Sequence, residues 1–348
     1  MNRHLDDADG FTLAELLVAL ALTALVMSAI GALAVGTYRL AESQPRLMDA
    51  QQRARVIAET LGRDVRQAGA GLDRGTMSGP LHRTFAAIWP RRMGRLRPDG
   101  TNSARSDVVT LIHVPDTLIQ TTLATDFPSS GMNLALSSCP GRASEPVSSP
   151  RSLLRSSQPC RVAQGLSLAV FDSTGRLDLV GVLGSVGQEI DVRVLASAGG
   201  VYRAGSTVTE VILRGYYLDE VAAQLRYYDS DGTDYPVVDD VTGLVFEYFG
   251  DPAPPRWPRP DPAVANCLYN QFGDWLGGAL LPTAADGLAV LPLAMFTDGP
   301  WCGAGDTAFD ADLLRVRRVR VSVTVSSYQV VFDVAPPNLA LGDREGAW

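Results

Sequence analysis

Few residues in this chain have types and spacings suited to chemistry, and the first is Glu15. It is the only ionisable side chain between Phe11 and Val35. An acid at mid-bilayer depth costs roughly 2.5–3.5 kcal/mol even on the lenient insertion scale, so a carboxylate in such sequence calls for a partner. The second candidate is Asp229-Ser230-Asp231-Gly232-Thr233-Asp234. Asp229, Asp231 and Asp234 offer oxygens to a hard cation such as Ca2+. The run lacks the downstream Glu of an EF-hand, and Asp-Gly flanked by Tyr227-Tyr228 and Tyr235 is what a hairpin turn demands. The turn is the preferred reading, with Ca2+ as the alternative and no other cofactor expected. The third is the set Cys139, Cys160, Cys267 and Cys302, which contains no C-x-x-C pair. With three His in the chain, a zinc site is not expected. G-x-S-x-G, P-loop and H-E-x-x-H motifs are all missing, so no catalytic constellation stands out.

These residues need elements to hold them. Phe11 to Val35 is Leu- and Ala-rich and free of Pro, which suits a helix. At 1.5 Å per residue it reaches roughly 37 Å, enough to cross a hydrocarbon core of about 30 Å. Leu47, Ala50, Ala54, Ile57, Leu61, Val65 and Ala68 then recur at three- and four-residue steps, an apolar stripe that extends the helix to about 68. Pro45 removes an internal hydrogen bond and is expected to kink it. Gly69-Ala70-Gly71 ends it. Two plainer readings of the N-terminus are an ordinary membrane anchor and a secretory signal cut after Ala34, since Ala32-Leu33-Ala34 fits the A-x-A rule. The leader holds Arg3 but also Asp6, Asp7 and Asp9, a poor match to a basic n-region.

Gly10-Phe11-Thr12-Leu13-Ala14-Glu15, followed by some twenty apolar residues, resembles the type III signal of type IV pilins and type II secretion pseudopilins. The resemblance implies a prepilin peptidase cut between Gly10 and Phe11, with methylation of the new Phe11 amine. It also implies that Glu15 neutralises the Phe11 amine of a neighbouring subunit as helices bundle. Opposite charges in low dielectric attract strongly, so each offsets the other's desolvation. Asp9 stands where pilins usually carry a basic residue.

The chain has 348 residues, a net charge of −8 and a pI of about 5.0. Nucleic acid is not expected as the main partner, because phosphate binding needs a basic surface. An even Cys count in an exported domain suggests two disulfides with three connectivities. Sequence proximity favours Cys139–Cys160 and Cys267–Cys302.

Residues 72–105 read as loop. Strands are expected at 106–114, 166–171, 177–182, 189–195, 207–213, 221–228, 241–248, 314–325 and 328–334. Val319, Val321, Val323 and Val325 alternate with Arg318, Arg320, Ser322 and Thr324, a period of two with one buried face. Ser106-Asp107-Val108-Val109-Thr110, Tyr216-Tyr217-Leu218 and Val241 to Tyr248 resemble PilW-type minor pilins, and the last also the J-type minor pseudopilin. The expected class is α+β, a pilin fold with a long helix packed on an antiparallel sheet. The divisions are a leader 1–10, a membrane-spanning helix 11–38, its amphipathic half 39–70, and a periplasmic head 71–348 with disulfide-closed insertions at 126–165 and 250–311. The second insertion carries Trp257, Trp275 and Trp301, read as its own small core or as a contact surface.

Such a protein is expected in the inner membrane as a single-pass subunit, then in a pilus or pseudopilus. Its partners would be the peptidase, the major pilin and other minor pilins. The reading is a structural minor pilin rather than an enzyme. A J-type pseudopilin and a membrane-anchored adhesin are the alternatives.

Overall fold

The computed structural model describes residues 12–72, 85–94, 97–100, 102–115, 119–128, 131, 133–137, 162–172, 177–186, 188–196, 201–229, 233–255, 268–276, 280–302, 309–326 and 328–336. Gly10, Phe11, Asp231, Cys139, Cys160, Cys267 and Trp257 lie outside them, as does most of the 126–165 insertion.

One helix, α1, spans Leu13–Gln67 and stays helical through Pro45. The chain divides into two compact units at Gln52/Arg53. The first holds the apolar part of α1. In the second, residues 53–67 of α1 bury Ala54, Ile57, Leu61 and Val65. Each large aliphatic side chain so buried stabilises by about 1.5–3 kcal/mol. The helix stops one residue earlier than its apolar stripe. Gly69 turns to φ +77, and its N–H donates to Ile112 O at 2.9 Å while Val114 N–H donates to Ala70 O at 2.8 Å. Gly71 follows at φ +74, where a Cβ would meet Val114 O at 2.4 Å. A side chain there would break the joint between helix end and strand.

The strands are β1 (Ile88–Trp89), β2 (Val108–His113), β3 (Gln120–Thr122), β4 (Phe127–Pro128), β5 (Asn133–Ala135), β6 (Ser167–Phe171), β7 (Leu177–Val186), β8 (Glu189–Ala196), β9 (Val201–Tyr202), β10 (Thr207–Asp219), β11 (Gln224–Asp229), β12 (Asp234–Asp239), β13 (Val241–Gly250), β14 (Ala289–Leu291), β15 (Trp301–Cys302), β16 (Phe309–Asp310), β17 (Val316–Val325) and β18 (Tyr328–Val334). Among the described residues ten of them form one sheet, ordered β1-β2-β10-β6-β7-β8-β5, with β11 and β12 extending from β10 and β3 also on β10. A four-stranded sheet runs β14-β13-β17-β18. The paired strands are antiparallel throughout. Helix first and antiparallel sheets after it is the α+β class expected.

The period-two reading of the last long strand is visible in β17, where Val319, Val321, Val323 and Val325 are buried. On the other face Arg318 and Arg320 lie over the Phe249 ring, at 4.5 and 5.0 Å from its centroid. Arg318 also pairs with Asp286 and Arg320 with Asp333. The Arg row is therefore used inside the fold, as packing as well as charge.

Three expectations change. Residues 72–105 are not all loop: Phe85, Ala86, Ala87, Ile88 and Trp89 are buried in sequence, and Ile88–Trp89 form β1 against β2. Such a short run, covered on both faces, shows no alternation to read. Residues 126–165 include β4 and β5, which are two and three residues long. The strand expected at 221–228 begins only at Gln224, because the Asp219 carboxylate accepts the N–H groups of Val221 and Ala222, each at 3.1 Å, and turns the chain.

Candidate functional site

Glu15 sits in the first turn of α1. One carboxylate oxygen accepts the Thr12 backbone N–H at 3.0 Å and the Thr12 hydroxyl at 2.9 Å, while Glu15 N–H donates to Thr12 Oγ1 at 3.3 Å. This is a capping box, in which Thr12 and Glu15 satisfy donors the first turn would leave open. The signal T-x-x-E before an apolar run was present in the sequence and gives Glu15 a partner within its own chain. Among the described residues these hydrogen bonds from Thr12 are what hold the carboxylate.

Beyond it, Leu13–Val35 is 23 residues long and apolar enough to cross a membrane. At 1.5 Å per residue it spans about 34 Å. Its large side chains are open, from Leu13 (76 % exposed) to Leu33 (71 %). Thr23, the polar side chain midway, donates its hydroxyl to Ala19 O at 2.7 Å and so presents no unmet donor. A contiguous apolar surface of this size needs lipid or other helices around it.

Residues 7–31 match the prokaryotic N-terminal methylation motif. With the apolar helix, this match supports a type IV pilin-like protein, pilin or pseudopilin. The motif implies processing by a prepilin peptidase and assembly with other pilins, and it is consistent with a membrane-anchored subunit carrying a periplasmic head. No curated protein and no solved structure matches the chain.

The other anticipated residues are spread over the head. Asp229 and Asp234 flank the turn of the β11–β12 hairpin, where Asp229 N–H donates to Thr233 O at 3.2 Å. Asp234 accepts from Tyr217 OH of β10 at 2.8 Å and from Arg226 Nε of β11 at 3.2 Å, so its oxygens tie the hairpin to the neighbouring strand. Cys302 is buried and disulfide-bonded. The other three cysteines lie outside the described residues.

Two polar centres were not anticipated. Asp64, on α1, is 6 % exposed and accepts from Arg214 Nη1 at 2.7 Å and from the Tyr216 hydroxyl. Arg214 lies over the Tyr227 ring, which packs on Tyr216 and stacks on Tyr235. Burial, then the Arg214 charge, depresses the His113 pKa on the adjacent strand, which favours its neutral form. This centre fixes the helix on β10.

The second centre sits at the neck of the 250–311 insertion. Asp298, Asp310 and Asp312 bring carboxylate oxygens within 4.8 Å of one another. Asp310 accepts Gly299 N–H at 2.6 Å and Asp312 N–H at 2.8 Å. Arg315 donates to Asp312 at 3.0 Å, to Asp251 O at 2.9 Å and to Pro252 O at 2.6 Å, tying the two ends of the insertion together. Burial pushes the Asp310 pKa up to about 7 against the pull of its two N–H donors, and the Asp312 and Asp298 charges add to the rise.

Because the folded pKa lies above the unfolded value near 3.8, the protonated group's contribution is fully present below that value and is lost as pH rises through about 7. Wild-type thermal stability should therefore fall from pH 5 to 7.5 relative to Asp310→Asn, by on the order of 2 kcal/mol. Parallel melting curves of the two proteins would disprove this.

Proposed function

We propose that the chain is a minor pilin, similar to the PilW type, that primes or enters a type IV pilus. The observation that carries this reading is the methylation motif leading directly into a capped, fully exposed apolar helix. Prepilin peptidase cuts after Gly10. The mature helix passes from the inner membrane into the filament, and Glu15 exchanges its Thr12 hydrogen bonds for the Phe11 amine of the adjoining subunit. The major pilin and other minor pilins are the partners of this helix, and the role is structural. A J-type pseudopilin uses the same N-terminal chemistry with a secretion machine as client.

A membrane-anchored adhesin is favoured by one separate observation. The tight loop 270–274, in which the Asn270 side-chain oxygen accepts Phe272 and Asp274 N–H groups at 2.9 Å, holds Phe272 79 % exposed.

Mass spectrometry of sheared pili tests these readings together. The expected result is a mature chain beginning with N-methylated Phe11 in the filament fraction, at trace level beside the major subunit. A chain beginning at Val35 would mean a secretory signal. Confinement of the processed chain to membranes would favour the adhesin. Unchanged piliation with lost protein secretion in a deletion strain would favour the pseudopilin.

A further inference from the structure

Sheet edges carry unpaired N–H and C=O groups and invite pairing unless blunted. Most edges described here are blunted. β1, β5 and β14 are two, three and three residues long, and Ala289 of β14 is bridged by Thr283. β12 carries Pro236, and its pairing with β11 is interrupted by a register shift. β18 differs. Its seven residues Tyr328–Val334 lie in unbroken register on β17 and carry no Pro. Among the described residues the other side of β18 pairs with no strand. Its one charge, Asp333, is already neutralised by Arg320 at 2.7 Å.

The two faces of β18 alternate. Tyr328, Val330 and Phe332 lie on the side of the buried Val325, Val323 and Val321 of β17, yet remain only half-buried at the rim. Gln329, Val331 and Asp333 are exposed, with Val331 at 52 %.

We propose that β18 is a homotypic docking edge, pairing antiparallel with β18 of a second copy about a two-fold axis at Val331. That register keeps the core side of both sheets on one face, because it pairs odd residues with odd and even with even. It sets Val331 against Val331, Val330 against Phe332, and Tyr328 against Val334. Gln329 falls opposite Asp333, where its amide donates to the carboxylate. The two Asp333 charges stand four residues apart along the pairing, roughly 13 Å, so no like charges oppose. Centring on Val330 or Phe332 instead would set Val331 against Gln329 or Asp333. The half-buried Tyr328, Val330 and Phe332 of each copy would meet across the axis and lose their remaining exposure. A second copy is thus the occupant that matches apolar to apolar, polar to polar, and uses the whole strand.

Cysteine cross-linking of the full-length chain in membranes tests this independently of the N-terminal site. Directly opposed residues have Cα separations of about 4.5–5.5 Å, inside the disulfide range. Val331→Cys under mild oxidant should therefore give a homodimer of twice the monomer mass in most of the protein. Gln329→Cys alone should stay monomeric, whereas co-expressed Gln329→Cys and Asp333→Cys chains should link to each other. Val331→Lys, at an exposed position that the fold tolerates, should reduce dimer recovered by gentle extraction at least tenfold. A monomeric Val331→Cys protein, equal linking by Gln329→Cys, or a product containing a different protein would each overturn the proposal.

Discussion

Glu15→Gln should lower incorporation of the chain into sheared filaments at least tenfold while leaving expression, peptidase cleavage and head folding at wild-type levels. The capping box makes this substitution cleaner than Glu15→Ala. A glutamine oxygen still accepts from the Thr12 N–H and hydroxyl, so the helix start persists and only the charge is gone. Within a bundle the neighbouring Phe11 amine would then face no counter-charge. Leaving one partner of a buried pair uncompensated costs about 3–5 kcal/mol, and each 1.4 kcal/mol is tenfold in an equilibrium. Glu15→Ala keeps the Thr12 hydroxyl on the residue-15 N–H but loses the reciprocal half of the capping box, and so mixes a folding effect with an assembly effect. Incorporation of Glu15→Gln at wild-type level would show that charge is not what the residue contributes.

Asp64→Ala should destabilise the head by about 2–4 kcal/mol, read as a lower thermal midpoint. The substitution strands the buried Tyr216 hydroxyl, which costs about 1–3 kcal/mol. It also leaves Arg214 without its carboxylate. The Arg214 side chain is 32 % exposed, so water screens it and the loss stays below that of a fully buried pair. Asp64→Asn keeps an acceptor in place and should lose roughly half as much. Equal midpoints for wild type and Asp64→Ala would show that the apolar stripe alone secures the helix.

What could be read in the sequence was whatever repeats or stands out against its background. The Val319–Val325 alternation, the 47–68 stripe (buried from Ala50 on, with Leu47 exposed) and the solitary Glu15 all have a period or a contrast that survives without neighbours. Asp64 has neither. It lies between apolar positions like any solvated helical acid, and its meaning depends on Arg214 and Tyr216, which are 150 and 152 residues away. The Asp298, Asp310 and Asp312 cluster was hidden for a similar reason. Its stapling residue, Arg315, reaches back to carbonyls at 251 and 252, and carbonyls carry no sequence signature. Phe85 to Trp89 failed differently, since β1 pairs over only two residues and Trp89 is buried with its ring N–H bonded to Ala86 O.

The joint at the end of α1 has a mechanical consequence. Traction drawn through the helix ends at Gln67–Gly71, where two backbone hydrogen bonds run to Ile112 of β2 and to Val114 just past it, and Gly71 packs against Val114 O. Ile57, Leu61, Val65 and the Asp64 contacts lie upstream of that joint on the same rod. These contacts bear a tug together, like a row of rivets. A head pulled by its helix in a force spectrometer should hold until one abrupt rupture, and Gly71→Ala should lower the rupture force. A gradual, many-step release would mean that α1 peels from the sheet instead.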